Sequence, residues 1–370
     1  MLPAGSTIGI LGGGQLGWML SLAAKDLGYP CHIFAPEENP PAMQAAAHHT
    51  SAEFSDFDAL KAFAESVDVI TYEFENVPAM PLRFLRNTTP ILPTIKSLEI
   101  TQDRLEEKNF IKNLGISTTL FEPFDNKDSL LKALSKTGFP SIAKTRQLGY
   151  DGKGQYWIRY ERKESDISDY FNVIDALENA RFILESAVEF SQEFAVVATR
   201  DKNGNTRCFD VIATYHKEGI LRKAKCPAGL HPNLEAYAQE ATVKIADALE
   251  HVGVLTAEFF LLGDINDGTN ASKRILVNEI APRVHNSGHL TRESCVANQF
   301  EQHIRAICGL DLGDTTRTKN AEMINLLGEE VNDWKAHTEE SGTYVTLYGK
   351  EEARPGRKMG HVVRVQPVSR

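Results

Sequence analysis

Cysteine is scarce and scattered in this chain: five residues, at positions 31, 208, 226, 295 and 308, with no C-x-x-C pair. An odd, widely spaced set indicates neither a disulfide framework nor a zinc knuckle, and it fits a reduced, cytoplasmic compartment. Long apolar runs are missing too. None approaches the roughly 20 residues that span a bilayer, and no basic n-region opens the chain as a secretory signal, so no membrane partner is expected. Positive charge is in deficit: 40 Lys and Arg stand against 50 Asp and Glu, a formal net charge of −10. That balance argues against nucleic acid as a partner, because non-specific binding needs clustered cations to release counterions. Any phosphate must be held by local basic groups and backbone N–H donors. The chain shows no low-complexity tract and no clear internal repeat. What is there, 42% hydrophobic and 24% charged residues over 370 positions, describes a soluble globular protein long enough for two or three domains.

The most informative stretch is Arg274-Ile-Leu-Val-Asn-Glu-Ile-Ala-Pro-Arg-Val-His-Asn-Ser-Gly-His289. Ile275, Leu276, Val277 and Ile280 are strand formers. Pro282 ends the strand and starts a loop carrying Arg283, His285, Asn286 and His289. Glu279 can hold a hard cation through oxygen, and Arg283 can stabilise charge developing on a transferring phosphoryl group. The plain alternative is a salt bridge between Glu279 and Arg283 at the strand end. Leu255 to Leu262 reads as the preceding strand, which puts Glu258 and Glu279 on consecutive strands joined by a hairpin. Neighbouring strands lie about 5 Å apart, so both carboxylates can reach one ion. Two hard oxygen ligands suit Mg²⁺, which usually completes its shell with substrate phosphates and water. Zinc is not expected at His285 and His289, since Asn-Ser-Gly between them is a poor helix.

The N-terminus reads as βαβ: a strand Thr7–Leu11, the turn Gly12-Gly-Gly-Gln-Leu-Gly17, a helix Trp18–Leu27 and a strand Cys31–Ala35. Glycines at 12, 14 and 17 match G-x-G-x-x-G, a turn that brings backbone donors to an anion. A dinucleotide site wants an acidic residue at the end of the second strand. Here that strand ends Phe34-Ala35-Pro36, so another phosphate or a structural turn fits better than NAD. An Ala-rich helix Pro41–Ala47 follows, with His48-His49 at the surface. A helix Asp56–Glu65 and a strand Val67–Tyr72 come next. The strand runs into Glu73-Phe-Glu-Asn-Val77, a place where open α/β sheets bind ligands.

In the middle of the chain, Thr101–Gly115 reads as one helix with Arg104 and Lys108 on a solvated face. A strand ending in Lys144 leads through the glycine-rich loop Gly149-Tyr-Asp-Gly-Lys-Gly-Gln155 to a strand Tyr156–Arg159. Such a hairpin can close over a polyphosphate with backbone donors. A strand Phe182–Val188 turns polar at Glu185. Glu193–Thr199, Arg207–His216 and Ile220–Lys225 read as antiparallel strands, and Asn233–His251 as a long helix. Beyond about residue 315 come a helix Glu329–His337, a strand Gly342–Tyr348, a basic loop Lys350–Lys358 and a strand His361–Gln366.

A glycine-rich hairpin after a strand lysine, a later strand ending in glutamate and two carboxylates on a late hairpin resemble the ATP-grasp superfamily. Within it, GILGGGQLGWML, TYEFENV, GYDGKGQ, NEIAPRVHNSGH and RPGRKMGH are similar to the family of 5-(carboxyamino)imidazole ribonucleotide synthases, over residues 7 to about 365. The resemblance implies an α/β fold in three parts. These are an N-terminal Rossmann-like (pre-ATP-grasp) domain at 1–100, an ATP-grasp domain at 101–315 with a lid at about 117–190, and a small β-rich C-terminal domain at 316–370.

It implies ATP contacts from Arg104, Lys144, Gly149, Tyr150, Asp151, Gly152, Lys153, Gly154 and Gln155. Further ATP contacts would come from Glu185, Ser186, Ala187, Val188, Glu193, His216, Asn278 and Glu279. Glu258 and Glu279 would bind Mg²⁺, with Mn²⁺ as the alternative ion. Aminoimidazole ribonucleotide would meet Gln15, Glu73, Tyr150, Asp151, Arg283, His285, Asn286, Lys350 and Arg357, with the glycine turn holding substrate phosphate. Arg283, Lys144 and Asp151 would be catalytic. The implied reaction consumes ATP and bicarbonate through carboxyphosphate, in a homodimer that passes its product to a separate mutase. Two departures stand out: Gln147-Leu148 occupy positions where many relatives carry a second glycine, and the Gly263–Lys273 connection is long. The competing readings are another ATP-grasp ligase or transformylase, an NAD-dependent dehydrogenase and a non-catalytic nucleotide-binding protein.

Overall fold

The computed structural model describes residues 1–149, 152–159, 173, 176 and 180–368. Among them the strands form three sheets. The first is parallel, with the order His48–Ser51, Cys31–Ala35, Ile8–Leu11, Val69–Tyr72. Ile8, Ile10 and Leu11 are fully buried, as a parallel strand covered on both faces requires. The helix after the glycine turn begins at Gln15, earlier than the sequence suggests, and runs to Asp26. The Ala-rich segment is not a helix. Pro41–Gln44 forms a single 3₁₀ turn, and His48–Ser51 then pairs with the open edge of Cys31–Ala35, His32 opposite His48. Sheet pairing overrides the modest helix preference of four alanines.

The expected helix Thr101–Gly115 is two helices, Ile95–Gln102 and Arg104–Asn113. Asp103 between them has extended φ/ψ and caps the second by accepting from Leu105 N–H at 3.0 Å.

A smaller sheet follows, ordered Phe121–Phe124, Phe182–Ser186, Ser141–Thr145, Gln155–Ile158. Lys144 lies opposite Gln155, which makes the glycine loop the tip of a hairpin. Phe121–Phe124 and the helix Lys127–Thr137 were not legible from periodicity. The strand is short, lies at the sheet edge and carries Pro123, a residue that edges tolerate.

The large antiparallel sheet runs Ile275–Ala281, Gly253–Leu261, Gln192–Arg200, Ile212–Lys217, Ile220–Cys226, Lys319–Leu327, Lys358–Pro367, Thr343–Leu347. Where one strand Arg207–His216 is expected there are two, Thr206–Cys208 and Ile212–Lys217, both pairing with Gln192–Arg200. The C-terminal strands continue this sheet, because Lys319–Leu327 pairs with Ile220–Cys226. The helix expected at Glu329–His337 is a 3₁₀ turn, Gly328–Asp333, followed by a short helix Trp334–Thr338. One core cluster joins Ile8 and Leu20, Phe300 and Ile304, and Met323 and Val363, so all three parts of the chain share it. All five cysteines are free. Among the described residues no helix is long and apolar enough to cross a membrane.

Candidate active site

Glu258 and Glu279 lie directly opposite each other on adjacent antiparallel strands, with a register shift immediately after Glu258. Burial, and then the Glu279 charge beside it, push the Glu258 carboxyl above its ordinary range. Glu258 Oε1 is 3.1 Å from His285 Nε2. His285 Nδ1 accepts from Ser287 N–H at 3.3 Å, which assigns the ring proton to Nε2. Burial, then the Arg283 and Lys358 charges, push this imidazole down to about 3, so it donates to Glu258 as a neutral ring. Two adjacent buried carboxylates suit a divalent cation, and the neighbouring Asn278 Oδ1 is a buried oxygen with no hydrogen-bond partner. Among the described residues no group of three or more His, Cys, Asp or Glu is gathered for a metal. Of the common ions, Mg²⁺ is the one usually held by as few as one or two carboxylates.

The salt bridge between Glu279 and Arg283 does not form. Glu279 Oε2 accepts from Arg104 at 2.9 Å, and Arg283 pairs with Glu75 from the end of the first sheet. Burial opposes ionisation of Glu75, but the charge and hydrogen bond of Arg283, with smaller contributions from a backbone N–H and His285, together outweigh it and hold the carboxyl at about 2.

Arg104 and Lys108 are not on a solvated face. Lys108 is fully buried, with Nζ 3.2 Å from Glu185 Oε2. Glu107, also buried, accepts from Ile280 N–H at 2.7 Å. The helix face is charged because its partners come from other strands. Lys144 reaches the second oxygen of Glu185, at 3.0 Å. Burial opposes ionisation of Glu185, but Lys108 and Lys144 outweigh it and hold the carboxyl well below the usual range. Glu193 Oε2 lies 3.0 Å from His216 Nδ1, and His216 in turn senses the charges of Glu258 and Glu279. Ser186 ends its strand, and Ala187 and Val188 follow it, all half-buried.

In the glycine loop, Gly149, Gly152 and Gly154 are half-buried while Lys153 and Gln155 are exposed. Tyr150 and Asp151 lie outside the described residues. Leu148, at the departure from the glycine pattern, takes φ +61°, a left-handed conformation costing a branched side chain about 1–2 kcal/mol. The long connection before the Glu279 strand is closed by Arg274, which donates to the carbonyls of Leu262, Asp264 and Asp267.

A cavity of about 900 Å³ is lined by Gly12, Gly14, Glu73, Lys350, Arg354 and Arg357 among others. Two backbone donors of the glycine turn face a protein carboxylate: Gly14 N–H and Gly17 N–H donate to Glu73 Oε1 and Oε2 at 2.6 and 2.8 Å. Gly12 has φ +105°, and a Cβ there would stand 2.5 Å from Glu73 Cγ. Gly12→Ala is therefore expected to cost about 2–4 kcal/mol and to lower the thermal midpoint. A midpoint within about 1 °C of the parent would show that this close approach is not needed. Gln15 opens the helix beside the turn. Lys350 Nζ donates to Lys358 O at 2.8 Å, and an Arg357 Nη donates to Glu352 O at 3.0 Å. Asn286 is buried with neither side-chain polar atom partnered.

Residues 5–102 match the ribonucleotide synthetase preATP-grasp domain, 109–300 the ATP-grasp domain, and 321–368 the phosphoribosylaminoimidazole carboxylase C-terminal domain. The chain is 45% identical over 366 residues to the N5-carboxyaminoimidazole ribonucleotide synthase of Brucella melitensis, covering 99% of this chain and 98% of that one. The chain belongs to the N5-carboxyaminoimidazole ribonucleotide synthase family of ATP-grasp ligases. Similar solved structures include the Staphylococcus aureus N5-carboxyaminoimidazole synthetase complexed with ADP, at TM-score 0.90 and 35% identity over 99% of this chain and 94% of that one. The Aspergillus clavatus synthase in complex with ADP and 5-aminoimidazole ribonucleotide gives TM-score 0.89 at 27% identity, over 98% and 94%.

For a member of this synthase family, sequence reasoning read Glu75 only as part of an acidic stretch, passed over Glu107 and left Lys108 on a solvated face. A signal for the last two was present. Positions 104, 107, 108 and 111 share one helix face, and Ile111 on that face is fully buried.

Proposed function

We propose that this chain carboxylates 5-aminoimidazole ribonucleotide to N5-carboxyaminoimidazole ribonucleotide in de novo purine biosynthesis, consuming ATP and bicarbonate. The observation that carries the proposal is the place of Arg283. Its guanidinium pairs with Glu75 and feels the charges of Glu73, which lines the cavity at the glycine turn, and of Glu279, one of the two paired carboxylates. A group activated at the carboxylate pair can be delivered to the cavity.

In the proposed reaction a bicarbonate oxygen attacks the γ-phosphorus of ATP, the bond to the ADP oxygen breaks, and carboxyphosphate forms. The exocyclic amine of the ribonucleotide then takes the carboxyl carbon, and phosphate leaves. Such chemistry needs positioning and charge neutralisation more than covalent catalysis. Lys144, with Arg104 beside it, would hold phosphate oxygens, and Arg283 would hold the charge developing on carboxyphosphate. Glu258 and Glu279 would hold Mg²⁺, or Mn²⁺, which would supply charge neutralisation for the transferring phosphoryl group. The glycine loop Gly149–Gln155 would exclude water from an intermediate that hydrolyses readily, and Asp151 within it completes the proposed catalytic set. Glu193, His216 and residues 185–188 would line the nucleotide. Gln15, Glu73, Tyr150, His285, Asn286, Lys350 and Arg357 would hold the ribonucleotide, its phosphate at the basic C-terminal loop. The proposal includes a cytoplasmic homodimer whose product passes to a separate mutase.

The test is ADP release from ATP, Mg²⁺ and bicarbonate with and without the ribonucleotide. Ribonucleotide-dependent release, with labelled bicarbonate captured in an acid-labile product, supports the proposal. Release indifferent to the ribonucleotide would redirect it to another acceptor. Arg357→Ala is expected to raise KM for the ribonucleotide by roughly 10- to 100-fold, the loss of a charged hydrogen bond, with KM for ATP nearly unchanged. Equal losses for both substrates would remove Arg357 from the phosphate site.

A further inference from the structure

Lys108 uses all of its hydrogen-bonding capacity inside the protein. Besides Glu185 Oε2 at 3.2 Å, its Nζ meets Thr118 Oγ1 at 2.9 Å, Thr119 Oγ1 at 3.1 Å and Val277 O at 3.4 Å. These neighbours fix its protonation. The Thr118 hydroxyl donates its proton to Val277 O at 2.8 Å, and the Thr119 hydroxyl donates its own to Glu185 Oε2 at 2.7 Å. Both hydroxyl oxygens can then only accept from Lys108. Four acceptors surround Nζ, which calls for an ammonium rather than a neutral amine with two protons and a lone pair.

On its other side the same carboxylate meets Lys144, at 3.0 Å from Glu185 Oε1. One buried carboxylate thus stands between two ammonium groups, and the trio carries one net positive charge. The two lysines differ in access. The Lys108 side chain has no exposed surface, while that of Lys144 keeps 9%. A ligand in the cleft can be met by Lys144 and not by Lys108.

We infer that Lys108 is a positioning residue of the nucleotide site: it neutralises Glu185 from the buried side, leaving the charge of Lys144 available to the phosphates of ATP. The inference rests on the proposed role of Lys144 as a phosphate ligand. Without Lys108, Glu185 would have Lys144 as its only ammonium partner. The trio would become a neutral pair, and an incoming phosphate would have to compete with a buried carboxylate for the same ammonium. In a low-dielectric cleft that competition is severe.

The charge balance separates this role from a merely structural one. Lys108→Met keeps the stem and removes the charge. Adding Glu185→Gln removes the carboxylate as well and returns the net positive charge through Lys144. Calorimetric titrations with MgATP and with adenosine, on the full chain, give the ratio of the two affinities for each variant. Lys108→Met is expected to weaken MgATP by roughly 10- to 100-fold and adenosine by no more than about threefold, and the double variant is expected to recover most of the lost MgATP affinity. A structural role predicts the opposite: the double variant no better than the single one, with MgATP and adenosine weakened together. Either result overturns the inference. If Lys108→Met does not fold, Glu185→Gln alone decides, because an excess of ammonium must then raise the MgATP-to-adenosine ratio; an unchanged or lower ratio overturns it. Failure of the unmodified chain to bind MgATP at all would strike the proposed function itself, and that reference titration keeps the two failures apart.

Discussion

Glu279→Gln is expected to lower kcat by about 1000-fold, close to 4 kcal/mol of lost transition-state stabilisation, with the fold retained. The substitution is nearly isosteric, so the strand pairing of Glu258 with Glu279 and the backbone grip on Ile280 from Glu107 survive. What disappears is charge. A divalent cation would keep one carboxylate instead of two, and the Arg104 guanidinium, 2.9 Å from Glu279 and mostly buried, would lose its ionic partner. Arg104 would then be drawn toward the nearest remaining anion in the cleft, which in the working enzyme is the nucleotide. KM for ATP is accordingly expected to change much less than kcat. ADP release at saturating Mg²⁺, with a thermal melt of the same sample, checks both halves. Unchanged turnover would remove Glu279 from the metal site.

The second large effect is acid unfolding. His251, His285, His289, His303 and His361 are all held below the ordinary histidine range, first of all by burial. His303, pushed down to about 3, accepts from Val254 N–H through Nδ1 at 3.1 Å and donates from Nε2 to Thr71 Oγ1 at 2.8 Å. A proton on Nδ1 would set two donors against each other. The unfolded chain takes up these protons near pH 6.5 and the folded chain does not. Each histidine therefore removes about 1.4 kcal/mol per pH unit as pH falls below 6.5. Glu107, Glu258 and Glu293, raised by burial, act with the opposite sign. The folded state binds their protons first, so between about pH 7 and 4.5 they offset three of the five histidines. Below about 4.5 that offset is complete. The histidines continue, and Glu75 and Glu185, whose folded values lie far below the unfolded ones, begin to lose their contribution.

Stability of the metal-free chain should thus fall by about 3 kcal/mol per pH unit between about pH 6.5 and 4.5, the surplus of two histidines over the three glutamates, and more steeply below. Unfolding near pH 4 should take up about one proton for each of these histidines and for the two depressed glutamates. Acid titration followed by circular dichroism checks this. Stability that stays flat from pH 6.5 to 4.5, or proton uptake near zero, would contradict the burial of these rings as neutral groups. His303→Gln should lower both the proton uptake and the acid midpoint.

Much of the site was legible from local pattern. Alternation in two consecutive strands, joined by a polar connection, suffices to put Glu258 opposite Glu279. A strand ending in Lys144, three glycines and a return strand suffice for a hairpin with a glycine tip. Both arguments need only neighbours in sequence, since strand period and turn chemistry are short-range properties. The same short-range reasoning misjudged Pro41–Ala47, where the helix preference of alanine yields to an unfilled sheet edge, and it passed over Phe121–Phe124, whose proline hides the strand.

Burial of charge was decided by tertiary structure alone. Lys108 is an ordinary solvated lysine until Glu185 and Val277 O arrive from two strands and Thr119 from the segment before Phe121–Phe124. Arg283 has a nearer candidate partner in Glu279, but Glu75 takes it from across the domain boundary. The glycine turn offers backbone donors to any anion, and only the fold shows that Glu73 occupies two of them. An ionic group can leave water only when partners satisfy it in the interior, and those partners are remote in sequence. The sequence by itself therefore determined which residue types and which local elements the site uses. Only the packing of the three parts decided which charges are buried and which partner each one keeps.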